Sequence, residues 1–452
     1  MNRSTREWLK LSGIVVLIVV TGIIIELIAV RYDIRFNLTG SLKYELTGRT
    51  KKILDSLRDN ISIIHFGPRD KPKTRLIQNM LSLYGSYSHK VKWRVVDPDR
   101  NPMLVKRYEV SPEGNMTVVR YKNRWERIVI SSENDLTNAI LRLITKRIKV
   151  YFLLGGGEYD PFQPDNIYTK VLDLMMDENY DVKPLYWKNG SVSIPKDAKL
   201  VIVWRPKKEF TDREIMRFDS YIKNGGKMLF MVEPFTVDSL NKLLNKFHVV
   251  IKDDIVVDKS SRLIGGDMFM PMIMPFMFRG HVIVEHLGSP IMFPMARSVE
   301  ITGGSPDGWE VKTILRTNPH SYTISKKRYD KWEFDYEPGD GERGPVSVAV
   351  SINGVDKSSK KGKMIIVGDA DFANNSYIDF PGTDNRWFFA NIIDWLIRGG
   401  DFVSDRPKIY KYNYRSLKDT ERTRLLCVVI AMPVFVLMIG MGLYFKIKRV
   451  RI

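Results

Sequence analysis

At 452 residues the chain is longer than one hydrophobic core usually organises, so two or more domains are expected. A hydrophobic share of 44% is ordinary for a globular protein, so most of the chain should fold in water, and with the single cysteine at Cys427 the residues before it have no disulfide, CxxC redox pair or cysteine metal site. Of the net charge of +19, residues 1–30 carry +1 and residues 446–452 carry +4, leaving +14 between them; such a body is drawn to anionic lipid headgroups or acidic polymers.

Leu11 to Val30 is almost wholly apolar, broken only by Ser12, Thr21, two glycines and Glu26. About 20 such residues span a bilayer core as a helix. Leu425 to Phe445, which holds Cys427, is a second such run without a charge. Two transmembrane helices are therefore expected, the first uncleaved, because no small-x-small site precedes Arg31. Arg3, Arg6 and Lys10 before the first run, and Lys446, Lys448, Arg449 and Arg451 after the second, place both tails on the cytoplasmic side. The region between then lies outside the cytoplasmic membrane, where no nucleic acid is expected as a partner. Arg415, Lys418, Arg422 and Arg424 oppose this assignment, but long translocated regions largely ignore the charge rule. Glu26, a carboxylate near the membrane surface, either snorkels to the interface or meets a polar group on a partner's helix.

Between the spans, residues 33–148 read as a juxtamembrane segment and a first domain. A helix is predicted over Thr50 to Arg58, a strand over Ile61 to Phe66, and a helix over Lys73 to Tyr84 with Leu76, Ile77, Met80 and Tyr84 on one face. Val91 to Val96 is a strand, Pro102 to Tyr108 a short helix, and Met116 to Tyr121 with Trp125 to Ile130 a hairpin across Lys122-Asn123-Arg124. Asp135 opens a last helix. The order βαβα-ββα is that of a thioredoxin-like domain; without cysteine it would bind or assemble rather than move electrons.

Residues 149–400 form a second α/β series. Val150 to Leu154 and Leu200 to Trp204 are continuous apolar strands, as expected of a sheet covered on both faces. A helix is expected over Ile167 to Glu178. Thr211 and Glu214 form a capping box, and Asn224-Gly225-Gly226 ends that helix before a strand over Lys227 to Val232. Met364 to Gly368 returns to a buried strand, and a helix over Asn385 to Ile397 closes the series. Alternation of this kind implies a doubly wound parallel sheet. Residues 249–360, with short alternating strands and little helical periodicity, read as a β-rich insertion, and residues 401–424 as a basic linker.

Few constellations carry chemistry. Gly155-Gly156-Gly157-Glu158 lies between a strand and a helix, where backbone N–H groups approach ligands or form a tight structural turn. It fits neither G-x-G-x-x-G nor a phosphate-gripping loop, so the chain is not expected to hydrolyse ATP. Asp369 and Asp371, one residue apart at a strand end, are a candidate ligand or subunit site; two acids are weak grounds for a metal, and turn formation explains them equally well. His281 and His286 flank Glu285 in β-like sequence, which puts them on opposite faces. No cofactor site and no catalytic motif is expected. Met268 to Phe278 is rich in methionine, an adaptable apolar surface, and makes Met272 and Phe276 candidate partner or membrane contacts.

In order, several segments resemble the GldG-type auxiliary proteins of ABC transporters, named from the gliding-motility branch. Arg35-Phe36-Asn37-Leu38-Thr39 and Tyr44-Glu45-Leu46-Thr47 are similar to that family's Arg-x-Asp-Leu-Thr and Tyr-Ser-Leu-Ser stretches, with Asn37 in place of the acid. Asp97-Pro98-Asp99 matches its Asp-Pro-Asp. Leu154 to Glu158 looks like its Gly-His-Gly-Glu turn, with Gly156 where histidine is usual, so no histidine role carries over. Phe210-Thr211 with Glu214, Tyr221-Ile222 with Gly225-Gly226, and Gly368 to Phe372 with Asn391, Trp395 and Leu396 match its later segments. The resemblance implies a non-enzymatic periplasmic subunit beside a separate ATPase and permease, with a thioredoxin-like module followed by a glutamine-amidotransferase-like one. The competing expectations are a membrane-tethered enzyme acting on an envelope glycan or peptide around Glu158 and Asp369, and a structural envelope scaffold.

Overall fold

The computed structural model describes residues 45–399 apart from 69–70, 112–114, 165–166, 188–192, 278–279, 340 and 356–361. The two apolar runs, Glu26 and the basic linker lie outside the described residues, among which no helix is long and apolar enough to cross a membrane.

Strand β1 (Ile61–Phe66) is buried along nearly its whole length because it is flanked on both sides. It pairs in parallel with β2 (Val91–Val96), Ile61 opposite Val91, and antiparallel with β3 (Met116–Tyr121), Ile61 opposite Tyr121. β4 (Arg124–Ile128) folds back on β3 across Lys122 and Asn123, giving the order β2-β1-β3-β4. Lys122 takes φ 54°, the left-handed conformation that a two-residue hairpin turn demands. The helix Pro72–Tyr87 buries Ile77, Met80, Leu81 and Tyr84, the i, i+3, i+4, i+7 stripe expected of a helix lying on a sheet. The helix Glu133–Ile144 starts where Asp135 Oδ2 accepts from the Ser132 amide at 2.8 Å, satisfying a free N–H.

The second region is built on a seven-stranded sheet. Its parallel part comprises β5 (Ile148–Leu154), β6 (Tyr180–Tyr186), β7 (Leu200–Trp204), β8 (Lys227–Met231) and β17 (Lys363–Val367). In β7, Leu200, Ile202 and Trp204 face one core with the helices Lys170–Asp177 and Asn385–Arg398, while Val201 and Val203 face the other with the helix Asp212–Lys223. Period-two side-chain alternation with both faces apolar makes this strand a continuous hydrophobic run. The capping box at Thr211 and Glu214 is in place. β6 was not expected; it is a half-exposed edge strand that carries Pro184.

The expected β-rich insertion is only partly separate. β9 (Val249–Ile251) pairs with β13 (Val299–Ile301), β10 (Asp254–Val257) with β15 (Tyr322–Ser325), and β11 (Met272–Ile273) with β12 (Ile291–Met292). The remaining strands, β14 (Trp309–Arg316) and β16 (Ser347–Gly354), instead extend the large sheet antiparallel beside β17 (Lys363–Val367), giving β14-β16-β17-β8-β7-β5-β6. The β-like reading around His281 and His286 needs correction: Val282–Glu285 is a short helix whose Ile283 carbonyl accepts from Asn391 Nδ2 at 2.8 Å, so packing overrides the β-branched sequence. His281 caps it and sits 3.0 Å from Ser351 Oγ; burial lowers its pKa to about 4, so it stays neutral.

The two regions belong to one compact unit. Buried Arg49, on the helix Gly48–Asp55, pairs with Glu178 at the foot of the helix Lys170–Asp177 and donates to Asn138 Oδ1 at 2.8 Å. Each charge is matched, which a buried ion pair requires.

Candidate functional site

The chain runs from β5 outward to β6 and then crosses back to β7 on the other side of β5, so the strand order reverses between β5 and β7. Ligands of open parallel sheets bind beyond the carboxyl ends of the strands at such a point. Gly155–Glu158 follows β5 there, Arg205 follows β7, Glu233 comes shortly after β8, and Asp369 and Asp371 follow β17.

The glycine turn closes on itself. Gly155 and Gly157 hold φ 111° and 88°, conformations that a side chain rarely adopts, and a Cβ on Gly157 would come within 2.9 Å of Lys207 Cβ. The Gly156 amide donates to Glu158 Oε2 at 2.5 Å, and the Trp187 indole donates to Glu158 Oε1 at 3.1 Å. The Gly156 carbonyl accepts from the Lys208 amide at 2.9 Å. Glu158 thus occupies the amide that an anion would otherwise use.

Asp369 and Asp371 join a cluster that sequence spacing did not reveal. Asp369 is fully buried; Oδ1 accepts from the Phe372 amide at 2.8 Å, and Oδ2 has no hydrogen-bond partner among the described residues. Glu233 Oε1 accepts from the Ala370 amide at 2.8 Å. Burial first, and then the neighbouring carboxylates, raises both acids, Asp369 well above its ordinary value and Glu233 to about 8. Glu233 and Asp369 together therefore retain a proton at neutral pH. Asp371 Oδ1 accepts from the Tyr159 hydroxyl at 2.9 Å. The Tyr168 ring stacks on Tyr159 at 3.7 Å, and the Arg205 guanidinium carbon lies 4.6 Å from the Tyr159 ring centroid. Burial raises the Tyr159 hydroxyl, so it remains a donor.

These parts come together because Trp204 Nε1 donates to the Ala370 carbonyl at 2.7 Å and the Tyr159 amide to the Trp204 carbonyl at 2.8 Å. Glu233, Arg205 and Tyr159 were missed by sequence reasoning; their signal was position, just beyond the end of a parallel strand. No group of three or more histidines, cysteines or acids among the described residues is arranged to hold a metal ion.

The methionine-rich segment splits. Ile273 is buried and Met272 half-buried in the β11–β12 pair, whereas Phe276 is 68% exposed.

A family profile described as ABC-type uncharacterized transport system, auxiliary component, matches residues 147–398. No curated protein matches the chain. Among solved structures, the mmIFT52 N-terminal domain is 16% identical, with 55% of this chain and 97% of that one covered and a TM-score of 0.41. An exo-beta-1,4-mannosidase from Opitutaceae bacterium strain TAV5 is 11% identical over 71% of this chain and 48% of that one, with a TM-score of 0.28. Likenesses that distant say nothing of activity. The profile match covers more than half of the chain and takes in the whole seven-stranded sheet with its carboxyl edge, so the protein belongs to the family of ABC-type transport system auxiliary proteins.

Proposed function

We propose that this protein is a non-catalytic, extracytoplasmic auxiliary subunit of an ABC transport complex, of the GldG-type branch, working beside a separate ATPase and permease. The observation that carries the reading is the family match over residues 147–398, together with a carboxyl edge whose groups are turned toward one another. Glu158 closes its own turn, and Asp369 has no accessible surface for a substrate atom to reach. A thioredoxin-like reading of the first region is supported by the order β2-β1-β3-β4 with β1 and β2 parallel. An amidotransferase-like reading of the second draws on the parallel strands and their helices.

In this role Leu11–Val30 and Leu425–Phe445 anchor the chain in the cytoplasmic membrane, and Glu26 meets a polar group of a permease helix. Exposed Phe276 and half-buried Met272 contact a partner or the membrane. Purification of the tagged full chain in mild detergent is expected to bring an ATPase and a permease with it; recovery of the chain alone overturns the proposal. Protease added to spheroplasts should cut the region between the two apolar runs.

The alternative, a tethered enzyme acting on an envelope glycan or peptide, draws on the proton retained by Glu233 and Asp369. It requires that Glu233→Gln with Asp371→Asn abolish turnover of such a substrate, whereas the transport role predicts that this variant still assembles with its partners.

A further inference from the structure

The opposite edge of the large sheet is basic, and its charges are arranged by the ladder. Lys227 and Lys363 open β8 and β17 and are paired residues in the register. Lys199 immediately precedes β7, and its amide donates to the carbonyl of Lys149, the second residue of β5. Four adjacent parallel strands thus place lysine at their starts.

Three of these lysines have partners. Lys227 Nζ donates to the Ile397 carbonyl at 2.8 Å and Lys363 Nζ to the Trp395 carbonyl at 3.1 Å, at a helix C-terminus whose dipole favours cations. Lys149 pairs with Asp197 at 2.5 Å. Lys199 and the nearby Lys196 are exposed and have no carboxylate partner among the described residues.

They line a cleft of about 960 Å³ together with Arg217, Lys227, Ser220 and Tyr221, and no acid among the described residues lines it. The acids adjacent in sequence are engaged elsewhere: Asp197 by Lys149 and the Tyr151 hydroxyl, Asp219 by Lys223 and Lys246. Burial, and then the charge of Lys199, lowers the pKa of Lys227, as expected where Lys199 stands close to it.

The chain's path selects the ligand. The helix Asn385–Arg398 ends at Gly399, beside the carbonyls that Lys227 and Lys363 hold, so the described chain ends on this same edge. In the sequence the apolar run beginning at Leu425 follows after 25 residues that carry seven basic and four acidic side chains. The cation-lined cleft lies on the edge at which the described chain ends, 25 residues before that run, and the negative potential of an anionic headgroup layer acts on cations within about a Debye length.

We propose that this cleft binds the phosphate of an anionic phospholipid headgroup, with Lys196 and Lys199 as its direct ligands and Arg217 in its wall. The inference rests on the reading of Leu425–Phe445 as a span.

The test uses the full chain in detergent, titrated with dioctanoyl phosphatidylglycerol, dioctanoyl phosphatidylcholine and inorganic phosphate. The wild type should bind phosphatidylglycerol saturably and at least tenfold more tightly than the other two. Lys196→Glu with Lys199→Glu should weaken that binding about twentyfold, since each cation near an anionic surface is worth roughly a factor of five. Lys207→Glu with Lys208→Glu, the same charge change at the opposite edge, should leave it intact. Equal binding of the two lipids, phosphate bound as tightly as lipid, or an unaffected cleft variant overturns the proposal. Carbonate extraction and partner recovery, measured on the same membranes, read the span and the transport role separately: a chain that binds the lipid without an ATPase or permease sinks that role and leaves the cleft.

Discussion

The carboxyl and amino edges of the seven-stranded sheet carry opposite chemistry and treat it in opposite ways. At the carboxyl edge, Glu158 holds the Gly156 amide, Glu233 holds the Ala370 amide and Asp371 holds the Tyr159 hydroxyl, all in buried or half-buried surroundings. At the amino edge, Lys196 and Lys199 stand in solvent over an open cleft. At the edge that parallel-sheet topology marks as the ligand crevice the acids are taken up by their own neighbours, while the edge without a motif gathers lysines around an open cleft. A group's availability is decided by its partners, so topology alone does not locate a binding site.

The largest expected break in this contrast is Arg297→Met. The Arg297 side chain is fully buried and donates to the carbonyls of Glu233 at 3.0 Å, Thr236 at 2.7 Å and Lys252, binding the turn after β8 to the insertion. Its loss strands these carbonyls and should cost about 3–5 kcal/mol, read from the urea midpoint.

Next is pH. Glu233 has a folded pKa of about 8, above its unfolded value, so the folded state is favoured fully below about pH 4 and loses stability as the pH rises to about 8. Glu233→Gln should remove much of that slope and stabilise the protein by about 2–4 kcal/mol at pH 8, where wild-type and variant melting curves diverge. Curves that fall in parallel would show that Glu233 is not the group responsible.

Gly157→Ala should cost about 1–2 kcal/mol, because it combines φ 88° with the Lys207 contact, and a melting temperature equal to wild type would show that the turn relaxes freely. The smallest effect is at the amino edge: Lys196→Glu with Lys199→Glu should move stability by less than about 0.5 kcal/mol, since neither side chain has a carboxylate partner among the described residues.

How far the fold was legible depended on burial. β5, β7, β8 and β17 read as apolar runs because both faces of each are covered. β6 escaped because an exposed edge strand needs no such pattern and tolerates Pro184. The assignment of β14 and β16 to the large sheet was hidden because antiparallel pairing across long separations leaves no local mark. At the candidate site, Asp369, Asp371 and the glycine turn were visible as strand-end residues, whereas Glu233, Arg205 and Tyr159 belong to the same cluster only through contacts spanning up to 212 residues.

The sequence by itself located the buried strands β5, β7, β8 and β17 and the capping box at Thr211 and Glu214, and it holds one cysteine and no phosphate-gripping motif. These are properties of local pattern and composition, set by burial period and backbone hydrogen-bond supply. Tertiary structure alone decided which charges meet: that Glu158 closes its own turn, that three acids share one buried corner, and that lysines from four strands align on a single edge. Those outcomes depend on strand order and register, through which residues distant in the chain come into contact range, and electrostatic energy depends on that distance.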